Sequence, residues 1–525
     1  MTARLQRAVS ETVGTYDDQD QVIVFLARPE TFGLGTRTVE RLETHISLIF
    51  LGAGRALKLK RAVKFPYLDF STLEKRRAAC EAEFSINRRT APGIYRGVLP
   101  VTRDGKGNLH LGGDGEVVDW VVDMNRFDQE ALFDRLAQEG SLNRANMGEL
   151  AEVIARFHHY ADPRPEGGGR KLISSILRSN ADTFVQFGPG ILDMDKVQAM
   201  TAASERALDQ VGLFLDQRRD QGRVRRCHGD LHLRNIVMLE GLPVLFDAIE
   251  FNNDFTAIDV LYDLAFLLMD LDHRNLRRLA NIVLNQYLDV TRDIAGLKAL
   301  PLFQAVRASI RSHVDASSSI NISDRAAAER LADEARDYLD MAIDYLNPPA
   351  PRLIAVGGLS GSGKSRMARE LAPYLGAAPG ARVVRTDVMR KHLAGVNPLV
   401  RLGPENYTPE MSEKTYHAVY DEIRTALDAG HSAIADAVFA RPEERQAIEA
   451  VAKESGVSFH GLWLESPLEI MEERISRRAS NASDATKDVL YKQLDYDLGE
   501  MTWSRVDSSE SRETTLRKGT EILGI

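Results

Sequence analysis

The sequence predicts two domains of different class, a mixed α+β domain over residues 1–346 and an α/β domain with a parallel sheet over 352–525. Three observations carry this. The chain has 525 residues, well past the size at which a single hydrophobic core stops growing. The amphipathic run DRAAAERLADEARDYLDMAIDYL ends in Asn347-Pro348-Pro349-Ala350-Pro351, a stiff linker over 347–351 that stops a helix. Each half also holds its own phosphate-handling motif, HGDLHLRN at 228–235 and GLSGSGKS at 358–365, and the two belong to unrelated folds.

Within the first domain, residues 1 to about 120 form one lobe and about 121–346 a second. THISLIFLGAGRALKLK alternates strand-forming residues around Gly52-Ala53-Gly54, which predicts a hairpin over a nucleotide, although no G-x-G-x-x-G is present. Lys58, in its second run, is the candidate to contact the α and β phosphates, with Lys60 on the same strand face as its rival. The helix predicted over STLEKRRAACEAEFSINRR offers Glu83 as the lysine's partner, because Glu83, Ile86 and Thr90 share one face. Glu81 is the alternative, and a solvated helix charge is the plain reading of either.

The second lobe carries HGDLHLRN. Asn235 opens the run NIVML, Glu240-Gly241-Leu242 reads as a turn, and PVLFD closes at Asp247. With Gly241 midway, an antiparallel hairpin brings Asn235 and Asp247 to the same end, where they can share a cation. Asp230 then sits in the loop leading into that site, placed to accept the proton of an attacking hydroxyl while Asn235 and Asp247 position Mg²⁺ on the phosphates. His228 is expected to be a structural loop residue and His232 exposed filler. Cys227 reads as a small buried side chain, and His158 and His159 as helix residues lacking a partner at metal spacing. Asp254 and Asp259 read as helix caps, or as acidic groups suited to a cationic or hydroxyl-rich acceptor.

In the second domain, PRLIAVGG supplies a buried parallel strand and SRMARELAPYL the helix that a G-x-x-x-x-G-K-[ST] phosphate loop opens into. Gly358, Gly361 and Gly363 free the backbone, with that of Ser362 between them, to aim N–H groups at phosphate oxygens. Lys364 reaches the terminal phosphates and Ser365 ligates Mg²⁺. ARVVRTDVMRKHL reads as a strand running into a helix, leaving Asp387 at the strand's carboxyl end with Arg390 facing the same cleft. HSAIADAVF is a further buried strand, ending with Asp436 beside the cation. After the strand FHGLWLES, the helix PLEIMEERISRRAS sets Arg474 and Arg478 one turn apart, a pair able to close over transferring phosphate, whereas Arg477 reads as an exposed charge.

HGDLHLRN, followed by FDAIEF and by Asp263 in YDLAFLL, resembles the aminoglycoside phosphotransferase family. The resemblance implies a protein-kinase-like fold, with Asp230 as the catalytic Asp, Asn235 and Asp247 as metal ligands, and Asp263 as a helix residue bracing the loop. Residues 352–525 resemble the small P-loop kinases that include gluconate kinases, zeta-type toxins and the kinase domain of polynucleotide kinases, through Thr386 to Arg390, Asp436 followed by ARPEER, and Arg474 to Arg478. In the polynucleotide kinase branch the position of Asp387 deprotonates the acceptor hydroxyl and that of Arg390 grips the acceptor. The order of domains resembles a bacterial family described as bifunctional aminoglycoside phosphotransferase and ATP-binding proteins.

Net charge is −9, which supplies no basic stripe for a long nucleic acid. The first fifteen residues are polar, no apolar run approaches a membrane span, and two cysteines make no disulfide framework, so a cytoplasmic protein is expected. The leading expectation is a two-headed phosphotransferase that uses Mg²⁺ and ATP on a small hydroxylated metabolite such as a sugar or amino sugar. One catalytic head joined to a regulatory ATP-binding module is the alternative, with antibiotic modification and polynucleotide 5′-phosphorylation behind it.

Overall fold

The computed structural model describes residues 19–33, 35–65, 68–397, 400–477 and 483–525. They pack as two compact units, one made of the residues up to Leu172 with Asp216–Leu264, the other of Ile173–Leu215 with Ala265–Ile525. The units do not divide at 347–351. Helix Arg325–Leu346 buries Ala335, Leu339 and Ala342 in a core shared with Ala305, Ala308 and Ala316 of helix Leu300–Asn321, inside the unit that contains 352–525. Apolar faces, more than the prolines between them, decide what packs together.

The first unit holds a six-stranded antiparallel sheet in the order Glu40–Glu43, Ser47–Leu51, Arg55–Lys60, Glu116–Asn125, Tyr95–Arg103, Leu109–Leu111. The predicted hairpin pairs Leu51 with Ala56, and the Gly52 N–H closes its turn on the Arg55 carbonyl at 2.9 Å. Alternation along Arg55–Lys60 sends Leu57 and Leu59 into a core with Phe50 and Leu26, and leaves Lys58 and Lys60 on the opposite face. Across that face runs helix Leu73–Asn87, capped by the Thr72 hydroxyl and burying Cys80, Glu83, Ile86 and Asn87.

A second hairpin pairs Ile236–Leu239 with Leu242–Leu245, in the register Ile236 to Leu245. Glu240 (φ +51°) and Gly241 (φ +81°) both adopt left-handed angles, as a two-residue hairpin turn requires. The midpoint thus falls between them, half a residue before the Gly241 expected from sequence. Opposite Asn235 stands Phe246, whose N–H reaches the Asn235 carbonyl at 3.0 Å, and Asp247 lies one residue beyond.

In the other unit a five-stranded sheet, parallel throughout, runs Arg382–Arg385, Ala433–Asp436, Arg352–Gly357, Ser458–Glu465, Ser504–Asp507. Its central strand is buried on both faces, which accounts for the unbroken apolar run Leu353-Ile354-Ala355-Val356. The strand leads through the glycine loop into helix Lys364–Leu371.

Candidate functional site

Strand Arg55–Lys60 and helix Leu73–Asn87 meet the loop after the second hairpin at a buried cluster of charges. Lys58 Nζ lies 2.9 Å from Glu83 Oε1 and 2.6 Å from Asp247 Oδ1. Lys60 also pairs with Glu83, and with Glu250. Glu83 thus serves both lysines, and they differ in their second partner. Lys58 ends on Asp247, whose side chain is 40% exposed, whereas Lys60 and Glu250 are closed off from solvent. Glu81 is exposed and pairs with Arg77 at 2.8 Å one turn along the helix.

Burial opposes the charged form of Glu83, but the Lys58 and Lys60 ammonium groups outweigh it and hold the carboxyl below the usual range. Burial likewise opposes the Lys58 charge, and Asp247 and Glu83 overcome it. Asn87 ties helix to loop, its Oδ1 accepting the Ala248 N–H at 2.8 Å while its Nδ2 donates to the Glu83 carbonyl at 3.0 Å.

Asp230 is held from below. Asn235 Nδ2 donates to the Asp230 carbonyl and to its Oδ2, each at 2.9 Å, and His232 Nε2 lies 3.3 Å from the same carboxylate oxygen. His232 also accepts the Arg234 N–H on Nδ1 at 3.2 Å, so it is a cap and a neighbour of Asp230, not the exposed filler expected. His228 is wholly buried: Nε2 faces the Phe246 carbonyl at 2.9 Å and Nδ1 accepts the Asp230 N–H at 3.3 Å. Neutral imidazole protonated on Nε2 satisfies both contacts, and burial lowers its pKa accordingly.

The Asp263 carboxylate accepts the N–H groups of His228 at 3.0 Å and Gly229 at 2.8 Å, and His158 Nε2 at 3.1 Å. His158 therefore has a partner that its helical context did not reveal. The donor atoms of His158, Cys227 and Asp263 lie within 4.8 Å of one another, all buried, and the hydrogen bonds of Asp263 account for the grouping. Asp259 makes a two-point contact with Arg218 at 2.7 and 2.8 Å and accepts the Leu261 N–H at 2.9 Å, a cap and ion pair that engages both its oxygens.

The glycine loop of the second unit has φ +137° at Gly358, +89° at Gly361 and +97° at Gly363. A Cβ on Gly358 would meet the Leu464 carbonyl at 2.6 Å and Ser362 Oγ at 2.7 Å, and one on Gly361 the Met471 carbonyl at 2.6 Å. Ser362 Oγ is buried with no hydrogen-bond partner among the described residues, an orphaned polar atom within the glycine loop. Lys364 Nζ folds back to the Leu359 carbonyl at 3.3 Å, and Ser365, in the first turn of the helix, is half-buried.

Asp436 ends its strand buried, its Oδ2 accepting from Arg385 Nε at 3.1 Å, and Arg385 Nη2 lies 4.0 Å from Asp387. Arg385 thus draws the two carboxylates together. Sequence reading passed over it, although its place at a strand end, directly before Thr386-Asp387, was a usable signal. Arg390 is 9% exposed, donates to the Asn406 carbonyl at 2.9 Å, and stacks 4.9 Å from the Tyr407 ring. Arg474 docks on backbone carbonyls, of Ser508 at 2.6 Å and of Gly361 and Ser362 at 3.4 and 3.5 Å. Arg478 lies outside the described residues, while Arg477 is exposed and pairs with Glu473 at 2.6 Å.

Residues 110–300 match the family described as "Phosphotransferase enzyme family", and residues 353–496 one described as "AAA domain". The first match includes Asp230, Asn235 and Asp247 but starts beyond Lys58 and Glu83. An uncharacterized protein of Mycobacterium tuberculosis is 28% identical over 498 residues, covering 91% of this chain and 94% of the relative. Among solved structures, a choline/ethanolamine kinase family protein from Mesorhizobium loti is 14% identical with a TM-score of 0.37, covering 62% of this chain and 98% of its own. A sugar kinase from Janibacter sp. is 21% identical with a TM-score of 0.25, covering 33% of this chain and 95% of its own.

Each family match falls on one phosphate-handling motif, and the chain carries two kinase-like domains, one of the phosphotransferase type and one of the P-loop type. It is an ATP-dependent phosphotransferase. Among the described residues no helix is long and apolar enough to cross a membrane.

Proposed function

We propose that both heads, 1–346 and 352–525, transfer the γ-phosphoryl group of ATP to a hydroxyl of a small metabolite in the cytoplasm, with sugars and amino sugars as the leading acceptors. The observation that carries this is the meeting of Lys58, Glu83 and Asp247 in one ion-paired set, next to Asn235, which holds Asp230 and is bonded through its backbone to Phe246, the neighbour of Asp247. In the first head Asp230 takes the proton as the acceptor oxygen bonds to phosphorus and the bond from phosphorus to ADP breaks. Asn235 steadies the Asp230 carboxylate. Lys58, held by Glu83, supplies positive charge to the α and β phosphates.

In the second head Asp387 takes the acceptor proton, Arg390 holds the acceptor, and Gly358, Gly361, Ser362, Gly363 and Lys364 cradle phosphate. Arg474 stabilises the charge that develops there, a role its contact with the loop carbonyls would let it reach by a short rotation. Residues Asn235 and Asp247, and in the other head Ser365 and Asp436, would hold Mg²⁺, which supplies charge neutralisation on the phosphates when bound. The oxygen donors at these four positions fit such a hard cation.

One observation favours a second reading, in which 352–525 binds ATP as a regulatory module: Arg390 and Arg474 are both already engaged by the chain itself. The test incubates the protein and its Asp230→Asn and Asp387→Asn variants with ATP, Mg²⁺ and a bacterial metabolite extract, following phosphorylated products by mass spectrometry. Two catalytic heads each lose a different product. If Asp387→Asn changes nothing while Asp230→Asn silences the protein, the regulatory reading stands.

A further inference from the structure

The strand that leads to Asp387, Arg382–Arg385, lies at the edge of the parallel sheet and has a strand partner on one side only, Ala433–Asp436. The outer edge of such a strand leaves N–H and C=O groups to be satisfied by something else. Here helix Arg277–Thr291 does so with side chains, within the same compact unit. The Asn285 carboxamide accepts the Val383 N–H at 2.8 Å and donates to the Ala381 carbonyl at 3.1 Å, as a neighbouring strand's peptide group would. Asn281, one turn earlier, donates to the same carbonyl at 3.1 Å.

A buried charge network continues from this edge. Arg382, 2% exposed, donates to the Asn285 carbonyl at 3.0 Å and to Glu422 at 2.9 and 2.7 Å, and pairs with Asp289. Arg292, which caps the helix at φ +57°, pairs with Glu422 and lies 3.7 Å from the Met389 sulfur on helix Thr386–Leu393. Two guanidinium groups and two carboxylates close the set at zero net charge. Because Arg382 and Arg385 share a four-residue strand, and Asp387 and Arg390 follow on the next turns, the network holds the base of the acceptor side.

We infer that Asn285 and Asp289, although they fall inside the segment that matches the phosphotransferase family, are positioning residues of the P-loop head, setting the strand that carries Arg385 and Asp387. This rests on the reading of Asp387 as part of an acceptor site. The glycine loop hangs from a different strand, Arg352–Gly357, so the backbone that cradles the nucleotide phosphates is not carried by this edge.

The test uses full-length protein with Asn285→Ala or Asp289→Asn, in two measurements. Hydrogen–deuterium exchange should speed up about tenfold over 381–393 in Asn285→Ala, the size expected for orphaning one buried N–H, that of Val383, while Asn281 still serves the Ala381 carbonyl. In steady-state assays of the transfer that Asp387→Asn abolishes, with a dilution series of the metabolite extract as acceptor, the half-saturating amount of extract should rise about tenfold in either variant. Half-saturating Mg-ATP should stay within about twofold. Loss of folded protein lowers the rate but moves neither half-saturation value, so an unchanged extract requirement overturns the inference, as does unchanged exchange over 381–393. If Asp387→Asn removes no product, the catalytic reading of this head has failed on its own, and faster exchange confined to 381–393 still upholds the hold of the helix on the strand.

Discussion

The Asp230 site and the glycine-loop site are built from different materials. The first is assembled from side chains distant in sequence: Lys58 and Glu83 are buried and paired, Asp247 pairs with Lys58 from the exposed side, and Asn235 holds Asp230. The second is made chiefly of backbone, eight consecutive residues turned by three left-handed glycines, with a carboxylate added at a strand end. An assembled site fails when one charge loses its counter-charge. A backbone site fails when a Cβ appears where none fits. The mutations that discriminate between the two therefore differ in kind.

The largest expected effect is Asp230→Asn, which should cost the first head about 10²- to 10⁴-fold in transfer, the range for a positioned acid–base group, and leave Asp387-dependent products unchanged. Rate measurement on each product checks it. Next comes Glu83→Gln, which takes the shared counter-charge from two buried lysines, leaving Lys58 only Asp247 and Lys60 only Glu250, and should destabilise by about 3–5 kcal/mol in urea unfolding at neutral pH. Its pH dependence follows from the depressed pKa of Glu83. The carboxylate contributes stability above the ordinary Glu range, near pH ~4.3, and that contribution is lost as pH falls toward the lower folded-state value. The gap between parent and variant should hence be widest near neutrality and shrink below about pH 5. A gap that stays constant down to pH 3 would remove the charge argument.

Gly361→Ala sharpens the other side of the comparison. The left-handed angle costs about 1–2 kcal/mol and the added Cβ presses on the Met471 carbonyl, so nucleotide affinity of the glycine loop should fall about tenfold or more while Asp230-dependent transfer persists. The half-saturating Mg-ATP of the Asp387-dependent transfer, compared with that of the Asp230-dependent transfer in the same protein, reads it out. Smallest is Glu81→Ala, expected within about 0.5 kcal/mol of the parent, since an exposed pair one helical turn apart contributes little. A Glu81 variant as damaging as Glu83→Gln would reverse the assignment of the lysines' partner.

Periodicity and turn chemistry made most elements of both sites legible. The Gly52–Gly54 hairpin, the helix bearing Glu83, the second hairpin and the strand–loop–helix at 352–371 all occur where alternation, helical spacing and glycines indicate. What escaped was contact at a distance. Glu83 serves Lys58 and Lys60 together, a fact that no spacing within either element encodes. His158 meets Asp263 across 105 residues, and the His232 ring caps the next turn with one nitrogen while the other faces Asp230. The half-residue error at Gly241 came from judging a turn by its composition, when the paired left-handed angles at Glu240 and Gly241 set its centre.

By itself the sequence determined that this chain carries two phosphate-handling motifs of unrelated kinds, because a glycine loop before a helix and a catalytic-loop signature before a hairpin are local patterns whose backbone consequences follow over a few residues. Tertiary structure alone decided which charges neutralise which, and which helices complete which sheet. The carboxamide of Asn285 supplies an edge strand's missing hydrogen bonds from about 100 residues away, and the chain's units of packing disregard its proline-rich stretch. Burial removes water from such groups, so each must find its partner in the fold, and that partner is chosen by proximity in space, on which order along the chain places almost no constraint.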